Sequence, residues 1–413
     1  MIYLDSAATT LQKPKAVARA MKTAVNTLAS PGRGGHAASM RAARAAYECR
    51  ELAARLFNVP DPANVVLTSS ATHGLNIAIN SLAHLASRGG AALISGYEHN
   101  SVMRPLKAAG IEALVARSEL FEPEGLLRAF ASALDRGRIA FAVLNHVSNV
   151  FGYIQPAERI AALCRAHGVP LIIDASQSAG SVPINMLSLG AEFIAMPGHK
   201  GLYGPQGTGL LLCRGPADGV FGIMQGGTGS DSASDAMPAF LPDALEAGTH
   251  NMPGIAGLSE GIKFVLSRGE TRILEHARGL TDEAARGLAE LPGVRVFGGS
   301  GKNRAGVLSF RLKHTECEAA AEELSRRGFA VRAGLHCAPE AHRTAGTFET
   351  GTVRLSVSAY NTARELRALV SAVSEMARKS PRNRNNRPGA KASPQKFYIV
   401  SRPNARGSSS ESR

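Results

Sequence analysis

The first 250 residues alternate between two hydrophobic patterns. One is a series of short, strand-forming apolar runs at residues 64–68, 91–95, 139–145, 170–174, 193–196 and 209–213. The other consists of helix-length stretches with apolar residues at i, i+3 and i+4, which are residues 72–86, 124–134 and 156–167. Alternation of this kind predicts an α/β fold, in which a mostly parallel sheet is covered by helices on both faces.

The last third of the chain has a mixed pattern. Residues 255–289 are predicted to be helical, and later helices are predicted at residues 316–327 and 362–378. Strand-like runs occupy residues 294–297, 306–312, 330–332 and 353–357. This mixture predicts a smaller α+β domain at the carboxyl end.

Four units are therefore expected along the chain. Residues 1–15 form a segment that joins the small domain, residues 16–255 form the large domain, and residues 256–379 form the small α+β domain. Residues 380–413 form a basic tail whose composition cannot bury a core, so disorder is expected there.

Composition narrows the class of protein. Of the 413 residues, 44% are hydrophobic and 19% are charged, which is typical of a globular protein. No window holds eighteen consecutive apolar residues, and Asp5 stands where a signal peptide would need basic residues, so neither a membrane span nor secretion is expected. The five cysteines are scattered without a C-x-x-C pair, which predicts free thiols in a reducing cytoplasm.

The net charge of +14 is concentrated at one end of the chain. Residues 380–413 hold eight basic residues and one acid, so this tail carries +7, which is half the total. The remainder has only a modest basic excess and no recognised nucleic-acid motif. A solvated tail is therefore favoured over nucleic-acid binding.

Polar residues follow five successive strand runs, at the sheet edge where open parallel sheets bind ligands. Residues 69–74 open a helix with small and hydroxyl residues, which suits an anion. The next runs are followed by His99 and by Asn149. Asp174 ends the fourth run, and Lys200 follows the fifth.

Each of these residues alone has an ordinary explanation. Asn149 would be a turn residue, Asp174 a helix cap and Lys200 a surface charge. Together, a phosphate cradle, an imidazole, an acid and a lysine are what pyridoxal phosphate requires. The lysine forms an imine, the acid keeps the pyridine nitrogen protonated, and the imidazole stacks on the ring.

Ten stretches, in order along residues 1 to about 378, match one family. They are residues 3–10, 33–36, 98–99, 146–149, 174–177, 198–200, 202–205, 248–249, 334–338 and 360–362. In these stretches the chain resembles the class V aminotransferase-like enzymes of fold-type I, and within them the cysteine desulfurase and selenocysteine lyase group. The resemblance implies a pyridoxal-phosphate-dependent transferase whose large domain holds a mostly parallel, seven-stranded sheet. The tail has no counterpart in the family.

The resemblance also implies how the cofactor is held. Lys200 carries the Schiff base, Asp174 pairs with the pyridine nitrogen, and His99 stacks on the ring. The remaining implied cofactor-binding residues are Asn149 and Gln177 at the ring oxygen, and Ala71, Thr72 and His199 at the phosphate. Thr249 would reach the phosphate of a neighbouring subunit, which implies a homodimer with shared sites.

The implied substrate is L-cysteine or L-selenocysteine. Arg354 would clamp the substrate carboxylate, because a guanidinium binds a carboxylate through two hydrogen bonds. Asn149 and His36 are the other implied substrate-binding residues. The catalytic residues implied by the family are Lys200, His99 and Cys337.

Cys337 decides which reaction is expected. A lone cysteine is by default a small buried hydrophobe, but Cys337 lies in a loop-like segment, and the resemblance places the desulfurase nucleophile there. His336, His342 and Arg343 are expected to supply positive charge that favours the thiolate. The implied products are L-alanine and a persulfide on Cys337, whose sulfur passes to an acceptor protein. The remaining cysteines, Cys49, Cys164, Cys213 and Cys317, are expected to be structural.

Two positions depart from the family pattern, and other functions stay open. Pro197 stands where many desulfurases have a hydroxyl residue that binds phosphate, and His73 stands where relatives usually carry an acid. The alternatives are a selenocysteine lyase, another class V lyase or aminotransferase in which Cys337 is incidental, and a nucleic-acid-binding pseudoenzyme that uses the tail. Metal catalysis is not expected, because the chain has no H-E-x-x-H motif and no paired cysteines.

Overall fold

The fold was analysed in a computed structural model, which describes residues 1–32, 34–87, 89–215, 219–298 and 301–378. The predicted tail, residues 380–413, and Arg33 of the family stretch 33–36 lie outside the described residues. No helix within the described ranges is long and apolar enough to cross a membrane.

Thirteen strands form within this part of the chain. In order, β1 to β13 are Ile2–Tyr3, Val65–Thr68, Ala91–Ser95, Ala113–Ala116, Ile139–Asn145, Leu171–Asp174, Phe193–Pro197, Gly209–Cys213, Val294–Phe297, Val307–Leu312, Phe329–Ala330, Arg332–Gly334 and Thr352–Ser356. Strands β2 to β8 form one sheet in the order β2-β8-β7-β6-β5-β3-β4. All its pairings are parallel except those of β8, which is antiparallel to both neighbours. The predicted seven-stranded, mostly parallel sheet is confirmed.

Twelve α-helices surround the strands in the described ranges. In order, α1 to α12 are Lys15–Thr27, Ala37–Phe57, Ala71–Ala86, Asn100–Ala108, Pro123–Asp135, Ala157–Ala166, Met186–Leu189, Met252–Arg268, Glu270–Ala289, Cys317–Arg326, Pro339–Thr344 and Ala363–Arg378. Alternate residues of the large sheet enter two separate cores, as period-two geometry requires. On β5, for example, Ala142 and Leu144 pack in the core with α2, α5, α6 and α8, whereas Phe141 and Val143 pack in the core with α3 and α4. The strands are apolar on both sides because both faces of the sheet are covered.

A second, antiparallel sheet lies in the last third of the chain. Its order is β12-β13-β10-β9, and its core is shared with α9, α10 and α12. The first strand, β1, pairs in parallel with β11, so the amino-terminal residues lie against this part of the molecule. The limits of the four predicted units stay predictions.

Several sequence expectations need correction. The predicted helical region at 255–289 consists of two helices, because Gly269 adopts φ +83 between α8 and α9. The predicted strand at 330–332 is two strands, β11 and β12, which pair with different partners on either side of Val331. Strand β4 at the sheet edge is missing from the prediction. Only Ala116 of its four residues is fully buried, so it lacks the strongly apolar run of the central strands.

Candidate active site at the edge of the large sheet

One cavity lies at the carboxyl ends of the parallel strands, where the fold was expected to bind its ligand. Eight of the residues that the sequence pointed to line it, namely Ala71, Thr72, His99, Asn149, Asp174, Gln177, His199 and Lys200. They come together because they directly follow β2, β3, β5, β6 and β7, whose ends meet along one edge. The convergence inferred from strand ends is therefore a feature of the structure, while each residue's role stays a prediction.

The start of α3 provides an anion site within this cavity. Ser70 caps the helix, and its hydroxyl accepts a hydrogen bond from the His73 amide at 3.1 Å. The first two helical N–H groups, of Ala71 and Thr72, have no partner inside a helix and carry the positive end of its dipole. Backbone N–H groups in this position suit a phosphate.

Pro197 is the last residue of β7 and brings no hydroxyl to the cavity. Hydroxyl residues from other elements line it instead: Thr72, Ser101 and Ser176. The hydroxyls of Thr72 and Ser101 are 2.8 Å apart and share a hydrogen bond. The departure from the family pattern at position 197 therefore leaves hydroxyl groups available near the helix start.

His99 is fixed by its second role as the cap of α4. Its Nδ1 accepts a hydrogen bond from the Ser101 amide at 3.0 Å. Burial lowers the pKa of His99 below its ordinary value, and the nearby Lys200 and Arg354 charges lower it further, although Asp174 opposes them. The ring is therefore neutral at pH 7, with its proton on Nε2.

Lys200 and Asp174 form the charged centre of the cavity. Asp174 is 1% exposed, and its Oδ1 accepts a hydrogen bond from the Ser176 amide at 2.9 Å. Burial lowers the pKa of Lys200 to about 8, while the Asp174 carboxylate acts in the opposite direction. A lysine with this pKa has a substantial fraction of free amine near neutral pH, as nucleophilic and base chemistry require.

A buried carboxyl in contact with the cavity residue Asn145 had no role assigned from the sequence. Glu98 Oε1 accepts hydrogen bonds from the Ser95 hydroxyl at 2.6 Å and from the Asn145 amide at 2.8 Å. Burial raises the pKa of Glu98 to about 8, and the Asp174 charge adds to this. Glu98 is therefore mostly protonated at neutral pH and adds little negative charge beside Asp174. Its only signal in the sequence was the Glu98-His99 pair.

Cys337 lies in an exposed turn between β12 and α11, whereas the other four cysteines are buried. His336 and Cys337 have φ values of +51 and +56, which non-glycine residues adopt infrequently. Two hydrogen bonds hold the turn to the cavity. The Asn100 amide donates to the Cys337 carbonyl at 2.7 Å, and Asn149 Nδ2 donates to the His336 carbonyl at 2.7 Å. The turn therefore lies next to the start of α4 and next to the loop that carries Asn149.

The expectation that His336 and His342 supply positive charge near Cys337 is wrong. Burial lowers the pKa of His336 to about 2 and that of His342 to about 4, so both rings are neutral. Arg343 is paired with Glu340 at 2.5 Å. Arg332 and Arg354 lie within electrostatic range of the Cys337 sulfur. The local sequence around a cysteine did not reveal them, because they lie on neighbouring strands β12 and β13.

Arg354 is buried and adjoins the cavity through Asn149. Its Nη1 donates to the Asn149 carbonyl at 3.0 Å, and its Nη2 donates to Asp5 Oδ1 at 2.8 Å. Its Nε has no partner among the described residues. Asp5 lies in the family stretch 3–10, but nothing in the sequence gave it a role.

The structure does not bring His36 or Thr249 into this cavity. His36 is exposed and caps α2, where its Nδ1 accepts a hydrogen bond from the Ser39 amide at 3.3 Å. Thr249 is exposed and lines a separate cavity with His73. Burial lowers the pKa of His73, so this ring is neutral and does not replace an acid. The roles of His36 and Thr249 stay predictions.

The residues present fit pyridoxal phosphate. Asn145 Oδ1 and Asn149 Oδ1 are buried acceptors at the cavity without partners in the described chain, and such groups are rarely left unpaired in folded proteins. The free helix N–H groups suit the phosphate, the buried Asp174 suits the pyridine nitrogen, and Lys200 suits the aldehyde carbon.

This arrangement of sheet, lysine and acid is that of the fold-type I pyridoxal-phosphate enzymes. The family model described as Aminotransferase class-V matches residues 2–369. The chain belongs to that family, whose members depend on pyridoxal phosphate.

Named relatives are similar along almost the whole chain. A probable cysteine desulfurase of Methanothermobacter thermautotrophicus is 32% identical, over 91% of this chain and 94% of the relative. A probable cysteine desulfurase of Xylella fastidiosa is 34% identical, over 90% of each. Among solved structures, the apo cysteine desulfurase of Thermococcus onnurineus superposes with a TM-score of 0.85 at 30% identity, covering 91% of this chain and 94% of that one.

Proposed function

We propose that the protein is a pyridoxal-phosphate-dependent cysteine desulfurase, which converts L-cysteine to L-alanine and keeps the sulfur as a persulfide on Cys337. The observation that carries this proposal is the position of Cys337. It is the exposed thiol of the chain, and its turn is hydrogen-bonded to Asn100 and Asn149 beside the Lys200 cavity. The names of the relatives support the same activity.

The cofactor would supply an electron sink for negative charge on the substrate carbons when it is bound. Lys200 would hold it covalently, Asp174 would pair with its ring nitrogen, and the neutral His99 ring would stack on it. Asn149 and Gln177 would face the ring oxygen. Ala71, Thr72 and His199 would bind the phosphate.

Lys200 is also the proton carrier that we propose. With a pKa near 8, its Nζ atom is free to take the proton from the substrate Cα and to return one later. Arg354, with Asn149 and His36, is proposed to bind the substrate; the guanidinium pairs with the carboxylate.

The sulfur transfer balances without an added oxidant. The Cys337 thiolate attacks the substrate sulfur, a new S–S bond forms, and the Cβ–S bond breaks. The carbon skeleton keeps the bonding electron pair, takes up protons, and leaves as L-alanine. The Arg332 and Arg354 guanidinium groups lie within electrostatic range of the Cys337 sulfur.

The remaining partners are also part of this proposal. Thr249, outside its own chain's cavity, would contact the phosphate in a neighbouring subunit, which makes the active unit a homodimer. A protein with an acceptor thiol would take the sulfur from the exposed Cys337. The five unpaired thiols support the reducing cytoplasm as the compartment.

The test is formation of L-alanine from L-cysteine by the purified, cofactor-loaded protein, with Cys337→Ser beside it. We expect the wild type to form alanine and Cys337→Ser to form none, while both bind the cofactor equally. If neither forms alanine although both bind the cofactor, the proposal fails. Activity of both proteins on L-selenocysteine alone would identify a selenocysteine lyase in which Cys337 is incidental.

A further inference from the structure

A single buried carboxylate joins two arginines next to the cavity. Asp5 Oδ1 accepts from Arg354 Nη2 at 2.8 Å, and Asp5 Oδ2 accepts from Arg332 Nη2 at 2.8 Å and from Arg332 Nε at 3.0 Å. The Arg354 side chain is 3% exposed, whereas that of Arg332 is 51% exposed. A buried guanidinium needs such a counter-ion, because an unpaired buried charge is strongly destabilising.

The backbone fixes Asp5 on both sides. The Ser356 amide donates to the Leu4 carbonyl at 2.7 Å, and the Ser6 amide donates to the Ser356 carbonyl at 3.3 Å. Strand β1, directly before, is paired with β11. The carboxylate therefore determines where the Arg354 guanidinium lies, rather than following it.

The charges of the cluster do not cancel. Two guanidinium groups and one carboxylate leave one net positive charge. Arg354 uses Nη2 for Asp5 and Nη1 for the Asn149 carbonyl, so its Nε–H is without a partner in the described chain. A guanidinium has five N–H donors, which leaves enough for a second carboxylate. One ligand carboxylate would make the cluster neutral.

We infer that Asp5 is the positioning residue of the substrate-carboxylate subsite, where it holds Arg354 with its Nε–H free and limits the subsite to one net positive charge. The inference rests on the proposed function for the identity of the substrate. It assigns to Asp5 the recognition of an amino acid with a single carboxylate. Asp5 acts through Arg354 and does not itself contact the ligand.

Helix α11 offers a matched control. Glu340 is also a buried carboxylate shared by two arginines, Arg117 at 2.6 Å and Arg343 at 2.5 Å. Both arginines are about half exposed, and neither contacts Asp5 or Asn149 in the described hydrogen bonds. Glu340→Gln thus removes the same kind of ion pair without touching Arg354.

The experiment measures binding rather than turnover. The cofactor-loaded full chain is titrated with L-alanine and with ethylamine, which is alanine without its carboxylate, and the cofactor absorbance is followed. For Asp5→Asn we expect the dissociation constant of L-alanine to rise about tenfold or more, the range of a lost charged hydrogen bond, with ethylamine unchanged. For Glu340→Gln we expect neither constant to change.

Two results would overturn the inference: unchanged L-alanine binding in Asp5→Asn, or an equal weakening of both ligands, which a general structural role would cause. Asp5→Glu is the second variant in case Asp5→Asn does not fold. Asp5→Glu keeps the counter-ion but displaces it by one methylene. Binding of L-alanine must therefore again weaken relative to binding of ethylamine. Wild-type alanine formation from L-cysteine is assayed in parallel. Its absence contradicts the proposed function, whereas unchanged binding selectivity in an active enzyme contradicts the role of Asp5.

Discussion

The two halves of the candidate site are assembled in different ways. His99, Asp174 and Lys200 lie at the ends of three strands of one sheet, β3, β6 and β7, so the topology of that sheet brings them together. Cys337 and Arg354 belong to a second region, whose link to Asp5 spans 349 positions in the sequence. The first half depends on local order along the chain, and the second depends on long-range packing.

The amino-terminal residues contact both halves. Asp5 pairs with Arg354, and the Ala7 carbonyl accepts a hydrogen bond from Gln177 Nε2 at 2.9 Å. Further along, the Thr10 amide and Lys13 Nζ donate to the His199 carbonyl at 3.1 and 2.8 Å, directly before Lys200. Residues 5–13 therefore connect the second half of the site to the first through hydrogen bonds.

The largest effect is expected in the first half, from Lys200→Ala. The variant loses both the covalent attachment and the proton carrier, so alanine formation should fall by about a thousandfold or more. The measurement is the rate of alanine release from L-cysteine. Lys263→Ala, which removes a partly exposed lysine paired with Glu48 and Glu260, serves as the control. A Lys200→Ala enzyme with more than a tenth of the wild-type rate would contradict this role.

A smaller but still large effect is expected in the second half, from Arg354→Gln. Removal of the guanidinium takes away the carboxylate partner of the substrate, so kcat/KM for L-cysteine should fall about a hundredfold. Most of this change should lie in KM, because the carboxylate does not take part in the bond changes. Arg117→Gln should behave as wild type. A loss in kcat alone would indicate that Arg354 acts on the reaction and not on binding.

Glu98→Gln tests the buried carboxyl under the first half through the pH dependence of stability. The native pKa of about 8 is raised from an ordinary 4.5, so native Glu98 keeps a proton that the unfolded chain releases. Its contribution is present below pH 4.5 and is lost as the pH rises towards 8. The unfolding free energy of the wild type should therefore decline relative to Glu98→Gln from pH 5 to 8, by a few kcal/mol.

Urea titration at each pH measures this difference. Above pH 8 the unfolding free energies of the wild type and Glu98→Gln should change with pH in parallel. Glu98 is then ionised in both the native and the unfolded protein. A difference that is constant between pH 5 and 8 would mean that native Glu98 titrates normally.

The smallest effect is expected from Lys13→Ala, which removes a contact of the amino-terminal segment with the first half without removing a site residue. The lost hydrogen bond to the His199 carbonyl should lower the unfolding free energy by about 1 kcal/mol. Binding of L-alanine relative to ethylamine should not change, because Arg354 keeps its partners. A changed ratio would show that Lys13 contributes to the carboxylate subsite.

The same division explains what could be predicted from the sequence. Six of the seven strands of the large sheet were located within one residue at each end, because buried strands are continuous apolar runs. The site residues at the ends of five of these strands share one cavity. The charge around Cys337 could not be predicted in this way. Whether His336 is charged depends on its burial against Thr352, and the nearby cations come from other strands.

The five cysteines also determine how the protein will respond to oxidants. Burial raises the pKa of Cys49 and Cys317 to about 11 and that of Cys164 to about 12, so these sulfurs are protonated and shielded. Cys337 is exposed, and peroxide in solution meets it first. Its sulfenic acid can be reduced again by a thiol, whereas further oxidation is irreversible. Storage in air should therefore cost sulfur-transfer capacity while the fold stays intact.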